Sequence, residues 1–276
     1  MPVREIKRRD MNEESICLKR MDHENKALDT CVRNLRDEIR DDNTFEALVH
    51  LFKSSKYWPQ DFAGKYEAWK RGNSDYALLD AKMQSAFDRA VQDCFAAVSG
   101  DIELWDKLRG MFAEKVVETA FGNWYKKNIE GYKGEIELGC AVCLGGRIVK
   151  HKCAEDMDQQ ELCGRIRQSC KPAGECKGDK QTVDIGSLVY MLPPQAGRAL
   201  YCLETKLTPK SFHYLDADFL KKLKDTLDEI GVHTNIIIAS LDYRQSLEER
   251  VVLCMGEEAP VEIWGVAEIK SYFFDK

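Results

Sequence analysis

A glutamate and a lysine stand two residues apart at the end of a segment that otherwise has the pattern of a buried strand. In RALYCLETKL, Glu204 and Lys206 fall on the face that Leu200 and Cys202 also occupy, because strand side chains alternate between the two faces of a sheet. A third group elsewhere in the sequence has to decide what a carboxylate and an amine do side by side at this position.

That third group is Asp184. The segments TVDIGSLVYML, PPQAG and RALYCLETKL predict a β-hairpin centred on Gln195, with Asp184 and Lys206 eleven residues to either side. In an antiparallel pair, Asp184 lies beside Glu204 and Lys206 to within one residue pair. Two carboxylates suit Mg²⁺ or Mn²⁺, which binds through one or two such groups plus substrate phosphate. The ion neutralises phosphoryl charge and supplies a hydroxide, while the lysine positions or activates that water.

An aspartate, a spacer of nineteen residues and Glu-Thr-Lys resemble the signature of the PD-(D/E)XK nuclease superfamily, which has the restriction-endonuclease-like fold. In that family the signature lies on a hairpin followed by a helix and a further buried strand, as we expect for residues 216–240. The resemblance covers roughly residues 105–270 and departs at Val183, where the signature has proline. It implies a metal-dependent endonuclease, in which Asp184 and Glu204 hold Mg²⁺ (or Mn²⁺) and Lys206 positions the attacking water.

The family often carries a further glutamate on the helix before the sheet. GMFAEKVVETAFGNWY offers Glu114 and Glu118, and the spacing of Glu114 from Gly110 is similar to that in Holliday-junction-resolvase relatives. On a helical wheel Glu114 falls about 20° from the apolar Phe121, whereas Glu118 falls about 60° away. We therefore prefer Glu114 as a fourth catalytic residue.

Six of the eleven cysteines are concentrated in residues 140–176, which are Cys140, Cys143, Cys153, Cys163, Cys170 and Cys176. A C-x2-C followed by further cysteines within forty residues is the spacing of a zinc knuckle, so we predict that four of the six bind structural Zn²⁺. Cys140 and Cys143 are the first candidates. The polar segment has little core of its own, which favours a metal staple. Unligated thiols and an iron–sulfur cluster are the alternatives.

The formal net charge of -6 gives no overall attraction to nucleic acid, so a polyanion site would need a local basic patch. The cysteine-rich segment supplies Lys150, Lys152, Arg165 and Arg167, which we predict to bind DNA, with RNA as a second candidate. The alternative is a solvated charged loop that its own acidic residues balance.

Hydrophobic periodicity changes along the chain. Residues 1–128 have a helical period almost throughout, with Asp101 as an N-cap, whereas strand periods prevail from about Gly134. RVVLCM and VEIWGVAEI are expected to close the sheet. We predict an α/β protein: a helical N-terminal region at 1–100, then a restriction-endonuclease-like mixed sheet flanked by helices at 101–276, with a cysteine-rich insertion at about 140–176.

The first residues, MPVREIKRRDMNEES, lack the apolar core of a signal peptide, and no apolar run reaches bilayer length. We therefore expect a cytoplasmic protein without a membrane partner. Cutting both strands of DNA favours a homodimer that uses the helical half. The leading hypothesis is a DNA endonuclease of restriction, anti-phage-defence or mobile-element type. The alternative is a catalytically inactive, zinc-stapled module that binds nucleic acid or protein on the same fold.

Overall fold

An open, mixed, seven-stranded sheet with helices around it makes the protein an α/β fold, as predicted. The computed structural model describes residues 16–21, 25–129, 136–152, 179–191 and 197–275. Four of the six candidate zinc ligands, Cys153, Cys163, Cys170 and Cys176, lie outside these ranges, as do Arg165 and Arg167.

The N-terminal half is helical after its first strand. Its helices are α1 (Lys26–Glu38), α2 (Asp42–Ser54), α3 (Phe62–Gly72), α4 (Ser74–Ala77), α5 (Ala81–Val98) and α6 (Ile102–Asn128). Ser99, with a φ of 50°, ends α5 in the left-handed region. The Asp101 side chain accepts hydrogen bonds from the N–H groups of Glu103 and Leu104, so the predicted N-cap of α6 is confirmed.

Apart from β1, the described strands all lie after residue 135. They are β1 (Ile16–Arg20), β2 (Ile136–Leu144), β3 (Arg147–Ile148), β4 (His151–Lys152), β5 (Asp179–Lys180), β6 (Val183–Met191), β7 (Gly197–Lys206), β8 (His233–Ser240) and β9 (Glu262–Trp264). In the main sheet the order is β1-β2-β6-β7-β8-β9 with β3 on β2, and β4 and β5 form a separate pair. The pairs β7–β8 and β8–β9 are parallel, and the others are antiparallel.

The described part of the C-terminal half contains three further helices: α7 (Tyr214–Asp228), α8 (Arg244–Met255) and α9 (Val266–Phe274). The prediction that RVVLCM is a strand is wrong, because this segment lies in α8. Its buried residues Leu247, Val251, Cys254 and Met255 have helical spacing, and Arg244 pairs with Glu248 one turn later at 2.7 Å. VEIWGVAEI is a strand only over β9, after which Gly265 begins α9.

Strand β1 lies within the region predicted to be helical. It pairs antiparallel with β2, so that Arg20 lies opposite Cys140 and Ile16 opposite Leu144. Five residues in a strongly charged N-terminal stretch are too few to display a strand period, and only the pairing with β2 defines them as a strand.

Two hydrophobic clusters cover the two faces of the sheet. The first core joins helices α1 to α6 and α9 to strand residues such as Ile185 and Leu203. The second core joins α7 and α8 to Leu200, Cys202 and Ile236. Because the first core runs without a break from α1 to the sheet, it spans the boundary predicted at residue 100.

The alternation of side chains is interrupted where Asp184 lies. In β6, Val183 faces the second core although Ile185, two residues on, faces the first. In β2, Leu138 and Cys140 show the same change around Gly139, whose φ is 48°. Glycine tolerates a left-handed conformation inside a strand, and such a step locally re-aims the side chains beside it.

Candidate active site

The β6–β7 hairpin brings Asp184 to Glu204. Ile185 pairs with Leu203, so Asp184 is next in line opposite Glu204, in agreement with the predicted register. The Asp184 Oδ2 atom accepts a hydrogen bond from the backbone N–H of Thr205 at 2.6 Å. The aspartate is therefore anchored on the neighbouring strand, between the predicted glutamate and lysine.

Glu204 is a fully buried carboxylate with two ammonium partners. Its Oε1 atom accepts hydrogen bonds from Lys206 Nζ at 2.6 Å and from Lys180 Nζ at 2.5 Å, while its residue exposure is 0%. Its Oε2 atom is also buried and has no hydrogen-bond partner within the described residues. An unpaired carboxylate oxygen of this kind is costly unless a cation or a polar ligand reaches it.

Lys180 and Asp216 are two members of the cluster that sequence reasoning missed. Lys180 Nζ also donates to Asp216 Oδ1 at 2.6 Å, and Lys206 Nζ lies 3.6 Å from the same oxygen. Asp216, in the first turn of α7, accepts the N–H of His213 through Oδ2 at 2.8 Å. The capping pattern of His213 and Asp216 at the start of the helix after the hairpin is a signal for Asp216. The sequence contains no comparable signal for Lys180.

Burial and the neighbouring charges shift the pKa values of the cluster in opposite directions. Burial raises the pKa of Glu204 to about 7, and the charge of Asp184 adds to this, although Lys206 and Lys180 oppose it. Burial lowers the pKa of Lys206, but the surrounding carboxylates outweigh it and hold this pKa above its ordinary value. Burial likewise raises the pKa of Asp216, but the two lysines outweigh it and hold this pKa below its ordinary value.

The donor set fits a hard divalent cation. Asp184 and the free oxygen of Glu204 provide carboxylate oxygens, which Mg²⁺ and Mn²⁺ prefer, and Mg²⁺ completes its coordination with water. When all three carboxyl groups (Asp184, Glu204 and Asp216) are ionised, they exceed the two ammonium groups by one negative charge. Within the described ranges, no group of three or more His, Cys, Asp or Glu side chains could by itself hold a metal ion.

Glu114 lies on α6, which covers the first core, whereas Glu204 shares its strand face with Cys202 of the second core. The two glutamates therefore belong to opposite sides of the sheet. The Glu114 side chain lines a cleft of about 810 Å³ between α1, α6 and the first two strands. Leu138, which lines the same cleft, pairs with Ile185, the residue after Asp184. The catalytic role of Glu114 stays a prediction. The alternative residue, Glu118, forms an ion pair with Lys115 at 2.5 Å.

This cleft, which we call the basic cleft, is rich in positive charge. Five cationic side chains line it against two acidic ones: Arg20, Lys26, Arg33, Lys107 and Lys115 against Asp29 and Glu114. The protein as a whole carries a net charge of -6, so the positive charge is concentrated locally. A surface of this kind can attract a phosphate backbone.

The structure does not bring Cys140 and Cys143 together. Both lie in β2, opposite Arg20 and Cys17 of β1, and three residues along one strand place their side chains on opposite faces. Cys140 packs in the second core, whereas Cys143 lies beside Cys17. They are therefore not two ligands of one zinc ion, and the predicted insertion does not begin at Cys140 because β2, β3 and β4 occupy residues up to 152. Zinc binding by the other four cysteines stays a prediction.

The predicted nucleic-acid contacts are only partly within the described residues. Lys150 is exposed between β3 and β4, and Lys152 belongs to β4. Arg165 and Arg167 lie outside the described ranges. The basic cleft is a second cationic surface, formed by residues that are far apart in sequence and that the sequence pattern did not indicate.

Comparisons with known proteins do not assign the chain to a family. No family model matches the sequence, and no curated protein matches it either. None of the helices in the described part of the chain combines the length and apolar character needed to cross a bilayer.

Proposed function

We propose that the protein is a metal-dependent endonuclease of the PD-(D/E)XK type that hydrolyses phosphodiester bonds in DNA. The observation that carries this proposal is the buried Glu204. Its second carboxylate oxygen has no hydrogen-bond partner among the described residues, and the like charge of Asp184 across the hairpin disfavours its ionisation. Helix α6, the antiparallel strands β2, β6 and β7, helix α7 and the parallel strand β8 follow the order that the resemblance implies.

The residues of the site have separate roles in this proposal. Asp184 and Glu204 hold Mg²⁺ or Mn²⁺, which when bound neutralises phosphoryl charge and lowers the pKa of its water. Lys206 is an ammonium group under neutral conditions because its pKa is held above the ordinary value. It therefore orients Glu204 and the water and stabilises negative charge on the phosphoryl group, and it does not accept a proton. Asp216 holds the two lysines in place.

The basic cleft supports DNA as the substrate. Its lining residue Leu138 is paired with Ile185, the residue that follows Asp184, so the cleft lies close to the β6 strand in sequence register. The cleft is on the first-core side of the sheet, whereas Glu204 faces the second core, so we propose the cleft as a surface that holds DNA and not as the place of cleavage. The contacts would be to phosphate groups, which carry no sequence information by themselves, so the binding strength should depend steeply on salt. Residues Lys150 and Lys152 remain proposed contacts of the same kind.

The test is cleavage of supercoiled plasmid with Mg²⁺ or Mn²⁺ by the wild-type chain, Asp184→Asn and Glu204→Gln. We expect nicking or linearisation by the wild type and a loss of at least about 100-fold in each variant. Asp228→Asn is the matched control, because Asp228 is a carboxylate of α7 paired with Lys224 at 3.0 Å outside the cluster. Ca²⁺ should support DNA binding without cleavage. A duplex RNA substrate in parallel distinguishes the two nucleic acids.

A second candidate function is nucleic-acid or protein binding on the same fold without catalysis, with zinc held by cysteines outside the described ranges. The observation that favours it is that two ammonium groups already occupy Glu204 Oε1, so the carboxylate is neutralised without a metal ion. Binding of DNA with no cleavage under any divalent ion would support this candidate, and full activity in Asp184→Asn would remove the proposed catalytic site.

A further inference from the structure

Both the backbone and the side chain of Lys180 are fixed at the cluster. Its backbone is paired with His151 in the short β4–β5 ladder. Its Nζ atom lies between two carboxylates, 2.5 Å from Glu204 Oε1 and 2.6 Å from Asp216 Oδ1, and its side chain is only 16% exposed. The ammonium group is therefore an internal part of the site.

The position of this ammonium limits how many ions the carboxylates can bind. Any ion that used both Glu204 and Asp216 would need the space between them, which Lys180 fills. Within the described residues of the cluster, Glu204 Oε2 and Asp184 are the oxygens that remain for a cation. Without Lys180, the cluster would carry one further negative charge and an open pair of carboxylates.

We propose that Lys180 is a resident cation that takes the place of a second metal ion, so that the site binds a single divalent ion. This inference rests on the metal site of the proposed function. The inference extends the proposed function in two ways: it assigns the number of metal ions per chain, and it adds a positioning residue that is not one of the Asp, Glu and Lys residues of the signature. The Lys180 ammonium keeps Glu204 fixed and separates Asp216 from the bound ion.

The experiment is a titration of the full-length chain with Mn²⁺ alone, in which electron paramagnetic resonance measures the free ion. Mn²⁺ is the probe because oxygen ligands bind it, whereas thiolates in the rest of the chain prefer softer ions. We expect one Mn²⁺ per chain in the wild type. In Lys180→Met, which keeps the apolar stem and removes the charge, we expect a second Mn²⁺, or a Kd for the first that is lower by at least about tenfold.

Lys224→Met is the matched control. Lys224 is 19% exposed, pairs with a carboxylate at 3.0 Å and lies eight residues beyond Asp216, about 12 Å along α7. Its substitution removes the same charge and should leave stoichiometry and Kd unchanged.

Two Mn²⁺ ions in the wild type would overturn the proposal, and this measurement needs no variant. An unchanged Kd and stoichiometry in a folded Lys180→Met would also overturn it. Binding of one Mn²⁺ without any DNA cleavage would instead count against the nuclease alone. Absence of Mn²⁺ binding by the wild type would remove both inferences.

Discussion

Glu204 combines full burial with an ionisable group, so stability should depend on pH through it. Its pKa is raised from 4.5 to about 7 in the folded protein, which means that the ionised form is disfavoured on folding. The folded state then holds its proton more tightly than the unfolded state between these two values. Below pH 4.5, Glu204 therefore costs the folded state no free energy through ionisation. The cost grows as the pH rises from 4.5 to about 7, and above pH 7 it is constant at about 3 kcal/mol.

This pH dependence can be measured against Glu204→Gln in urea unfolding with EDTA present. The free energy of unfolding of the wild type should fall relative to the variant between pH 4.5 and 7, and the difference should be constant above pH 7. Added Mg²⁺ should reduce the fall, because the ion stabilises the ionised carboxylate. If the difference in free energy of unfolding between wild type and variant does not change with pH, the pKa of Glu204 is not raised in the metal-free protein.

A substitution at Lys206 should affect catalysis without affecting metal binding. Lys206→Met removes the ammonium that donates to Glu204 Oε1 but leaves Lys180 on the same oxygen and leaves Asp184 untouched. We expect plasmid cleavage to fall by about 100-fold or more, because one positioned charge is lost, while Mn²⁺ binding persists. Lys206→Arg should restore part of the activity. Loss of Mn²⁺ binding in a folded Lys206→Met would mean that the lysine only supports the carboxylates.

The side chains of Cys140 and Leu18 occupy the space that a side chain at Gly186 of β6 would need. A Cβ atom at Gly186 would lie 2.5 Å from Cys140 Sγ and 3.3 Å from the Leu18 side chain. Gly186→Ala should therefore destabilise the protein by about 1–3 kcal/mol, measured by urea unfolding. Since β6 also carries Asp184, cleavage should fall with it.

Cys140→Ala is the matched partner for this test. It removes the sulfur that the new methyl group would meet, so the cost of Gly186→Ala should fall by more than half in the Cys140→Ala background. Equal costs in both backgrounds would locate the strain elsewhere. The double-mutant cycle also tests the assignment of Cys140 as a packing residue of the second core.

The basic cleft should dominate nucleic-acid affinity of the whole molecule. Arg33→Glu and Lys107→Glu, from α1 and α6, should each weaken binding of a fluorescent DNA duplex and reduce the salt dependence of its Kd by about one ion. Lys82→Glu, an exposed lysine that does not line the cleft, is the control. Equal losses in all three variants would indicate a general effect of net charge. The Mn²⁺ stoichiometry should be unaffected.

Dimerisation remains a prediction, but its expected surface changes. The apolar stripes of the helical half are buried in the first core, as Leu28 and Leu35 show, and are not available to a second copy. Tyr243, Val252 and Leu253 are exposed at α8, so Leu253→Asp should shift a dimer to monomer in sedimentation if the chain pairs there. A monomeric mass with and without DNA, together with concerted double-strand cleavage, would contradict dimerisation.

The sequence by itself determined the hairpin and the residues it brings together. Alternation over β6 and β7, a turn rich in proline and glycine, and the spacing of Asp184, Glu204 and Lys206 are local features, so their register follows from the chain. The helical stripes of the N-terminal half and the buried parallel strand β8 are local in the same sense. The α/β fold class follows from these patterns.

Only the tertiary structure decided the rest, because it depends on contacts between distant segments. Strand β1 is defined by its pairing with β2. The segment RVVLCM by itself is compatible with a strand or a helix, and only the structure shows that it continues a helix that begins at Arg244. Lys180 reaches Glu204 across 24 residues and Asp216 across 36, so no sequence spacing announces it. Cys140 and Cys143 have the spacing of zinc ligands, yet a continuous strand turns their side chains to opposite faces, and backbone geometry overrides the motif.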